Sequence, residues 1–486
     1  MVNADRFEES LRPRFRQPRG VEQRGIEPVP EEARTTHWGD IFSIVFNFLV
    51  NPGMILIGGL AVAGGLSFWG AVIAVTLGIA VAFVPYVIVA TIGVDYGVPG
   101  QVSTRMTYGV IGSRWIASLL RVAVTTFQFA FQTIAGALAI VAVLHAWLEI
   151  SLPLVPTSLV FAAFQVLIAT MGYGPLKHLS RIALPLKIVV LGFSLYLLVS
   201  HDAPGFHPSE VFSFNGSSTL GWVGIAVWAN SVAAAWLTMV TDAADFCRYS
   251  RTRADMWIGT MAAAILGALL SAVLGAYGAA ATLGTVSNPF DVISGITTSG
   301  VVFVALLIVV VLDNWTINVL NLYTGGLAIV NMIPRLGRFW STLVASAIGV
   351  AISAFPAIID GFNTISGVAI GCLFAPIAGV LVADYVVVKR WRIDVPQLFV
   401  RGGRYWYLRG TNPVAVLSTA IGAGLYFLLP ETVLRCLVTP ILTGLVFVLI
   451  TRLLATRFEW ARAAAEPISV PARAAAAEEA GAAVRP

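Results

Sequence analysis

Twelve apolar runs alternate with short polar connectors along this 486-residue chain. They fall at 40–63, 68–92, 122–147, 156–173, 182–200, 221–247, 256–284, 300–330, 339–356, 364–388, 412–429 and 433–455, numbered here as spans 1 to 12. A bilayer core of about 30 Å is crossed by roughly 20 helical residues. Because lipid offers no partner to a backbone amide, runs of this length predict an all-α polytopic membrane protein with twelve transmembrane helices. Several runs exceed a straight crossing, which predicts tilt or interruption. Residues 1–39 read as a polar tail before the first span, and residues 456–486 as an Ala- and Glu-rich tail after the last, with no function assigned to either.

Charge orients the zigzag. With the amino terminus placed in the cytoplasm, 29 of the 30 Lys and Arg residues fall on the cytoplasmic side and only Arg435 falls outside. In that tally Arg105, Arg114 and Arg121 belong to the second connector, Lys177, Arg181 and Lys187 to the fourth, and Arg248, Arg251 and Arg253 to the sixth. No apolar segment lies near Met1, so no cleavable signal is expected. The expectation is a multi-pass cell-membrane protein with both termini cytoplasmic.

Composition removes other classes. Hydrophobic residues make up 58% of the chain and charged residues 11%, which no water-soluble domain tolerates. The net charge of +5 is spread over short loops and forms no nucleic-acid surface. Cys247, Cys372 and Cys436 lack the paired spacing of a disulfide framework or metal site. The five histidines are scattered, and neither H-E-x-x-H, G-x-S-x-G nor a glycine-rich phosphate loop is present, so no enzyme and no cofactor are expected.

Polar side chains within the spans cost several kcal/mol unless they find a partner or a cavity. They cluster. Span 1 has Asn47 and Asn51, the latter opening Asn51-Pro52-Gly53 in mid-span, which reads either as a simple kink or as a break that leaves carbonyls free to face something other than their own helix. Span 3 has Gln128 and Gln132, four apart on one helical face. Span 6 has Asn230, Ser231, Trp236, Thr238, Thr241 and Asp242, with Asp245 and Arg248 reading as an interfacial ion pair. Span 8 has Asp313, Asn314, Thr316, Asn318 and Asn321. Such residues either glue helices together or line a site, and an indole among amides offers a shelf to a flat heteroaromatic ring. Spans 1 and 6, and spans 3 and 8, correspond if 40–200 and 221–388 are two inverted copies of five spans, followed by 412–455 as two further helices. Only span 1 carries a Pro/Gly break, so interruption of span 6 is inferred from that correspondence.

In order and spacing, several segments resemble the nucleobase:cation symporter family 1, in particular its cytosine and purine permease branch. They are GIEPVPEEART (25–35), the NPG-centred span 1, YGVPGQVSTRMTYGVIGSR (96–114), ADFCRYSR (244–251), NWTINVLNLY (314–323), FAPIAGVLVADY (374–385), RIDVPQLF (392–399) and GRYWYLRGTNP (403–413). The resemblance implies the five-plus-five inverted repeat of the leucine-transporter type and import of a heterocyclic ring with Na+ or H+. It places the ring between spans 1, 3, 6 and 8, with Trp236 stacking and Gln132 and Asn318 as amide partners; amides suit a base edge because each offers donors and an acceptor. Gln128 stands where relatives carry a second tryptophan, and Asn51 completes the candidate ring contacts. For the cation the resemblance implies span 1 carbonyls and span 8 oxygens. Here Asp313 replaces the usual hydroxyl, so sodium is expected at Asp313 and the carbonyls near Val50, or a proton on the carboxylate. Asn314, Asn47 and Asp242 are the other coupling candidates. A hydantoin or allantoin symporter of the same family is the alternative, and a sodium-coupled amino-acid transporter of the same fold a more distant one.

Overall fold

The computed structural model describes residue 15 and residues 26–170, 173–217 and 221–465. The readings made for the rest of the two tails, and for the side chain of Lys177, lie outside the described residues. Among the described residues each expected span is met by a helix. In order these are Trp38–Leu49 with Pro52–Ala63, Phe68–Tyr96, Leu119–Leu148, Leu154–Ala169, Tyr173–Ser200, Trp222–Leu237 with Ala243–Cys247, Arg253–Ala281, Gly300–Met332, Gly337–Ile352, Asn363–Val388, Pro413–Leu428 and Arg435–Ala455.

The packing repeats itself. Span 7 lies along both halves of span 1, just as span 2 lies along span 6; spans 2 and 7 pack on each other, and so do spans 3 and 8. Span 5 leans on span 1 as span 10 leans on span 6. Each contact maps onto another when spans 1–5 are exchanged for 6–10, which is the signature of the inverted repeat. Spans 11 and 12 pack on span 10, outside the symmetric ten. Without a hydrophobic force between helices in lipid, close approach of backbones carries the association. A Cβ on Gly275 of span 7 would stand 1.9 Å from the Ile55 carbonyl of span 1, and one on Gly78 of span 2 would stand 2.7 Å from the Ala229 carbonyl of span 6.

The two halves of span 1 meet at 49°. Pro52 opens the second half at a position where its missing N–H is not needed, and Asn51 caps it, its Oδ1 accepting from Met54 N at 3.0 Å. The first half then ends with carbonyls that have lost their helical donors. All find others: Phe48 O takes Asn51 Nδ2 at 2.7 Å, and Leu49 O takes Ser271 Oγ at 3.1 Å. Asn47 O and Val50 O both accept from Lys187 Nζ, at 2.9 and 2.6 Å.

Span 6 is broken as well, without proline or glycine. Its helix tightens into a 3-10 turn at Thr238–Thr241, and Asp242 (φ −124°) separates that turn from Ala243–Cys247. Side chains stabilise the change: Thr238 Oγ1 and Gln128 Nε2 both donate to Ala235 O, at 2.7 and 2.6 Å, and Gln101 Nε2 donates to Thr241 O at 3.1 Å.

Several basic residues lie deeper than their assignment to connectors. Span 5 begins at Tyr173, so Lys187 is inside the helix and 1% exposed. Arg105, Arg121 and Arg248 are fully buried. Asp245 and Arg248, read as an interfacial pair, are both in the interior: Asp245 Oδ1 accepts from Gly100 N at 2.7 Å and Arg248 Nη2 donates to Tyr323 Oη at 2.9 Å. Hydropathy marks only where lipid-facing composition starts, and these helices run on into a polar end of the bundle. Gly275→Val is expected to destabilise the protein by about 1–3 kcal/mol, the usual cost of overpacking; a lowered melting temperature of the detergent-purified protein checks it.

Candidate functional site

Between the broken halves of spans 1 and 6, spans 3 and 8 and the start of span 10 lies a cavity of about 30 Å³. Met54, Gln128, Gln132, Trp236, Asn321 and Phe362 line it, together with Phe131, Met239 and Ser366. Trp236 stands in the last turn before the span 6 break. One side of its indole stacks on Phe48 (centroids 5.7 Å, 21°), and its Nε1 reaches only the Met54 sulfur, at 3.3 Å. A thioether is a weak acceptor, so this N–H is readily given to a better one. Gln132 lies against Gly53, where a Cβ would come within 2.1 Å of its Oε1. That oxygen is buried and accepts no hydrogen bond from the protein. Buried acceptors are nearly always paired, so this one points to a ligand donor or a water.

About 30 Å³ holds roughly one water. A ring enters only when side chains withdraw, and the lining provides two flexible thioethers, Met54 and Met239, suited to that adjustment. Phe362, packed on Phe131 at 5.3 Å, closes one end. At the other end Arg121 of span 3 pairs with Asp242 at 2.6 Å and donates to Thr238 Oγ1 (3.2 Å) and Thr324 Oγ1 (3.0 Å). This ties spans 3, 6 and 8 together below the cavity, and a buried pair needs such extra bonds to offset its desolvation.

Two expected ring contacts are engaged elsewhere. Asn318 does not line the cavity: its Nδ2 donates to Thr133 Oγ1 at 3.0 Å and to Gln165 Oε1, while its Oδ1 accepts from Asn321 Nδ2 at 3.1 Å. It props Asn321, one turn away, which does face the cavity. Asn51 is the cap of the second half of span 1, with both amide atoms bonded to backbone. Gln128 reaches the cavity, but its Nε2 is held by Ala235 O and Thr238 Oγ1.

The coupling candidates separate. The carboxylate of Asp313 and the carbonyl of Val50 converge as expected, but on Lys187: Nζ lies 2.8 Å from Asp313 Oδ1. The position expected for sodium is thus filled by an ammonium of the chain itself. Asn47 contributes its carbonyl to the same group, and its Nδ2 donates to Ser43 O at 2.6 Å. Asp242 belongs to the Arg121 network instead. Asn314 packs against Gly136, its two amide atoms buried without a protein hydrogen bond.

Lys187, Arg121 and Asn321 are the residues that pattern reading missed or misplaced; the signal available was an acid in span 8 and another in span 6, each needing a base. The quoted motifs outside the spans build the polar end. Arg105 Nη2 donates to Asn331 Oδ1 at 2.6 Å and its Nη1 to Leu398 O at 3.3 Å, and Asn412 Nδ2 donates to Thr107 O at 2.8 Å. Asn318→Ala should lower the melting temperature by leaving Gln165 and Asn321 without partners, at about 1–3 kcal/mol, whereas Gln132→Ala should leave it unchanged; thermal unfolding of the two variants side by side checks this.

A family model described as permease for cytosine/purines, uracil, thiamine and allantoin matches residues 28–448. The hydantoin permease of Microbacterium maritypicum is 25% identical over 415 residues, covering 80% of this chain and 80% of its own. The purine-uracil permease of Arabidopsis thaliana is 24% identical, covering 82% and 69%. Among solved structures, the closed form of Mhp1, a nucleobase-cation-symport-1 family transporter with bromovinylhydantoin bound, superposes with a TM-score of 0.76 at 21% identity, over 92% of this chain and 97% of that one. The twelve-helix fold with its five-plus-five repeat is therefore shared with a solved transporter, and the relatives are permeases rather than enzymes. With its match running from before span 1 into span 12, the chain belongs to the cytosine/purine, uracil, thiamine and allantoin permease family.

Proposed function

We propose that this protein imports a flat nitrogenous ring, a nucleobase such as cytosine or a purine, together with Na+ or H+, by alternating access in the cell membrane, with both termini cytoplasmic. The observation that carries the reading is the cavity itself: an indole whose N–H has only a sulfur partner, opposite a buried amide carbonyl with none. A ring stacked on the face of Trp236 meets the free Gln132 acceptor at its edge, and base–aromatic stacking contributes about 1–3 kcal/mol. Among the described residues the cavity lining holds no Asp, Glu, Lys or Arg, which disfavours a zwitterionic amino acid.

The orientation rests on the basic residues, which gather at the end of the bundle closed by the Arg121 network. In this orientation Phe362 is the outer cover and Arg121–Asp242 the inner closure, and the cycle opens one while the other holds.

A second reading is a ureide ring, hydantoin or allantoin. The small cavity and the place of Gln128 where the resemblance sets a second tryptophan favour a single, hydrogen-bonding ring over a fused one. Uptake into proteoliposomes of radiolabelled cytosine, adenine, hypoxanthine, uracil, hydantoin and allantoin, under an imposed cation gradient, is expected to show concentration of one ring class; no accumulation of any of them would refute the reading. Trp236→Ala is expected to weaken ring affinity at least tenfold, about 1.4 kcal/mol, measured by calorimetry with the ring that the panel identifies.

A further inference from the structure

Lys187 is held as a bound cation would be. Its Nζ lies 2.9 Å from Asn47 O, 2.6 Å from Val50 O and 2.8 Å from Asp313 Oδ1. The ammonium thus donates to two carbonyls of span 1, and its one positive charge faces the one carboxylate of span 8. Lys187 and Asp313 are each 1% exposed, Asn47 and Val50 not at all. The two carbonyls are ones that the span 1 break deprives of helical donors, and the carboxylate is the span 8 acid. Other charged groups on the elements packed against span 5 are engaged elsewhere: Asp40 with Arg181, Arg253 with Asp95, and Asp255 with Arg251 and Thr252. Asp291 lines a separate pocket with His145. The cradle therefore has charge enough for one monovalent cation, and an ammonium on a four-carbon stem already fills it.

We propose that Lys187 is a tethered cation that stands in for a mobile sodium ion, bridging span 1 to span 8, so that this transporter binds no sodium at that point and takes up its ring without it. The transport half of the proposal rests on the ring-import reading; the sodium-binding half does not. A structural cap at the end of a broken helix would use the same contacts, but would not govern which ion the protein responds to.

The test therefore reads ion response on the full-length purified protein. Binding of radioactive sodium, and the melting temperature in sodium against equimolar choline, are measured without any ring. Wild-type protein is expected to bind no sodium and to melt at the same temperature in both salts. Lys187→Ala, or Lys187→Met if the alanine variant does not fold, is expected to gain sodium binding and sodium-dependent stabilisation, because Asp313 and the two carbonyls are released to a metal ion. Sodium binding by the wild type that disappears in Asp313→Asn would overturn the proposal, and so would a folded Lys187 variant that gains none. In proteoliposomes, ring uptake is expected to change less than twofold when choline replaces sodium, and a tenfold fall would overturn it. Failure of every ring to accumulate would defeat the ring-import reading alone, while sodium binding would still decide the role of Lys187.

Discussion

The break in span 1 is the constraint on which the rest depends. In a low-dielectric bundle each freed carbonyl must be met by a donor or cost several kcal/mol. The sequence meets that need from three directions: Asn51 from within the span, Ser271 from span 7 and Lys187 from span 5. A buried ammonium then requires a carboxylate, and span 8 provides Asp313. One local defect thereby recruits side chains from three other helices, so spans 5, 7 and 8 are fixed relative to the hinge.

How much of this was readable in advance follows from what each signal encodes. The twelve spans were legible because lipid imposes length and apolarity directly. So was the break at Asn51-Pro52-Gly53, since proline and glycine act on their own backbone. The break in span 6 leaves no such mark: it is made by Thr238 and Thr241 hydroxyls and by amides of Gln101 and Gln128, which arrive from distant parts of the chain. Trp236 and Gln132 line the cavity, whereas Asn318 and Asn51 do not; an amide that lines a site and an amide that props one look the same in sequence. Only the partner separates them, and a single helical turn decides between Asn318 and Asn321.

Charge tallies failed for a related reason. Counting Lys187, Arg105 and Arg121 as connector charges hid the fact that each is an interior residue with its own partner: Asp313, Asn331 and Asp242 respectively. An acid in a span is half of a statement, and the base that completes it sits at the edge of another apolar run.

The ring cavity and the ammonium cradle are separated by one hinge. Gly53 and Met54, on one side of Pro52, touch Gln132 and Trp236; Asn47 and Val50, on the other, hold Lys187. On the proposed reading, a ring that pulls on Gln132 and Met54 acts on the same dihedrals that aim the Val50 carbonyl, and a change in the Lys187–Asp313 pair acts back on the cavity. Linkage requires those two effects to be equal in free energy. On the proposed reading coupling needs no long pathway, because the two sites share a backbone segment only a few residues long.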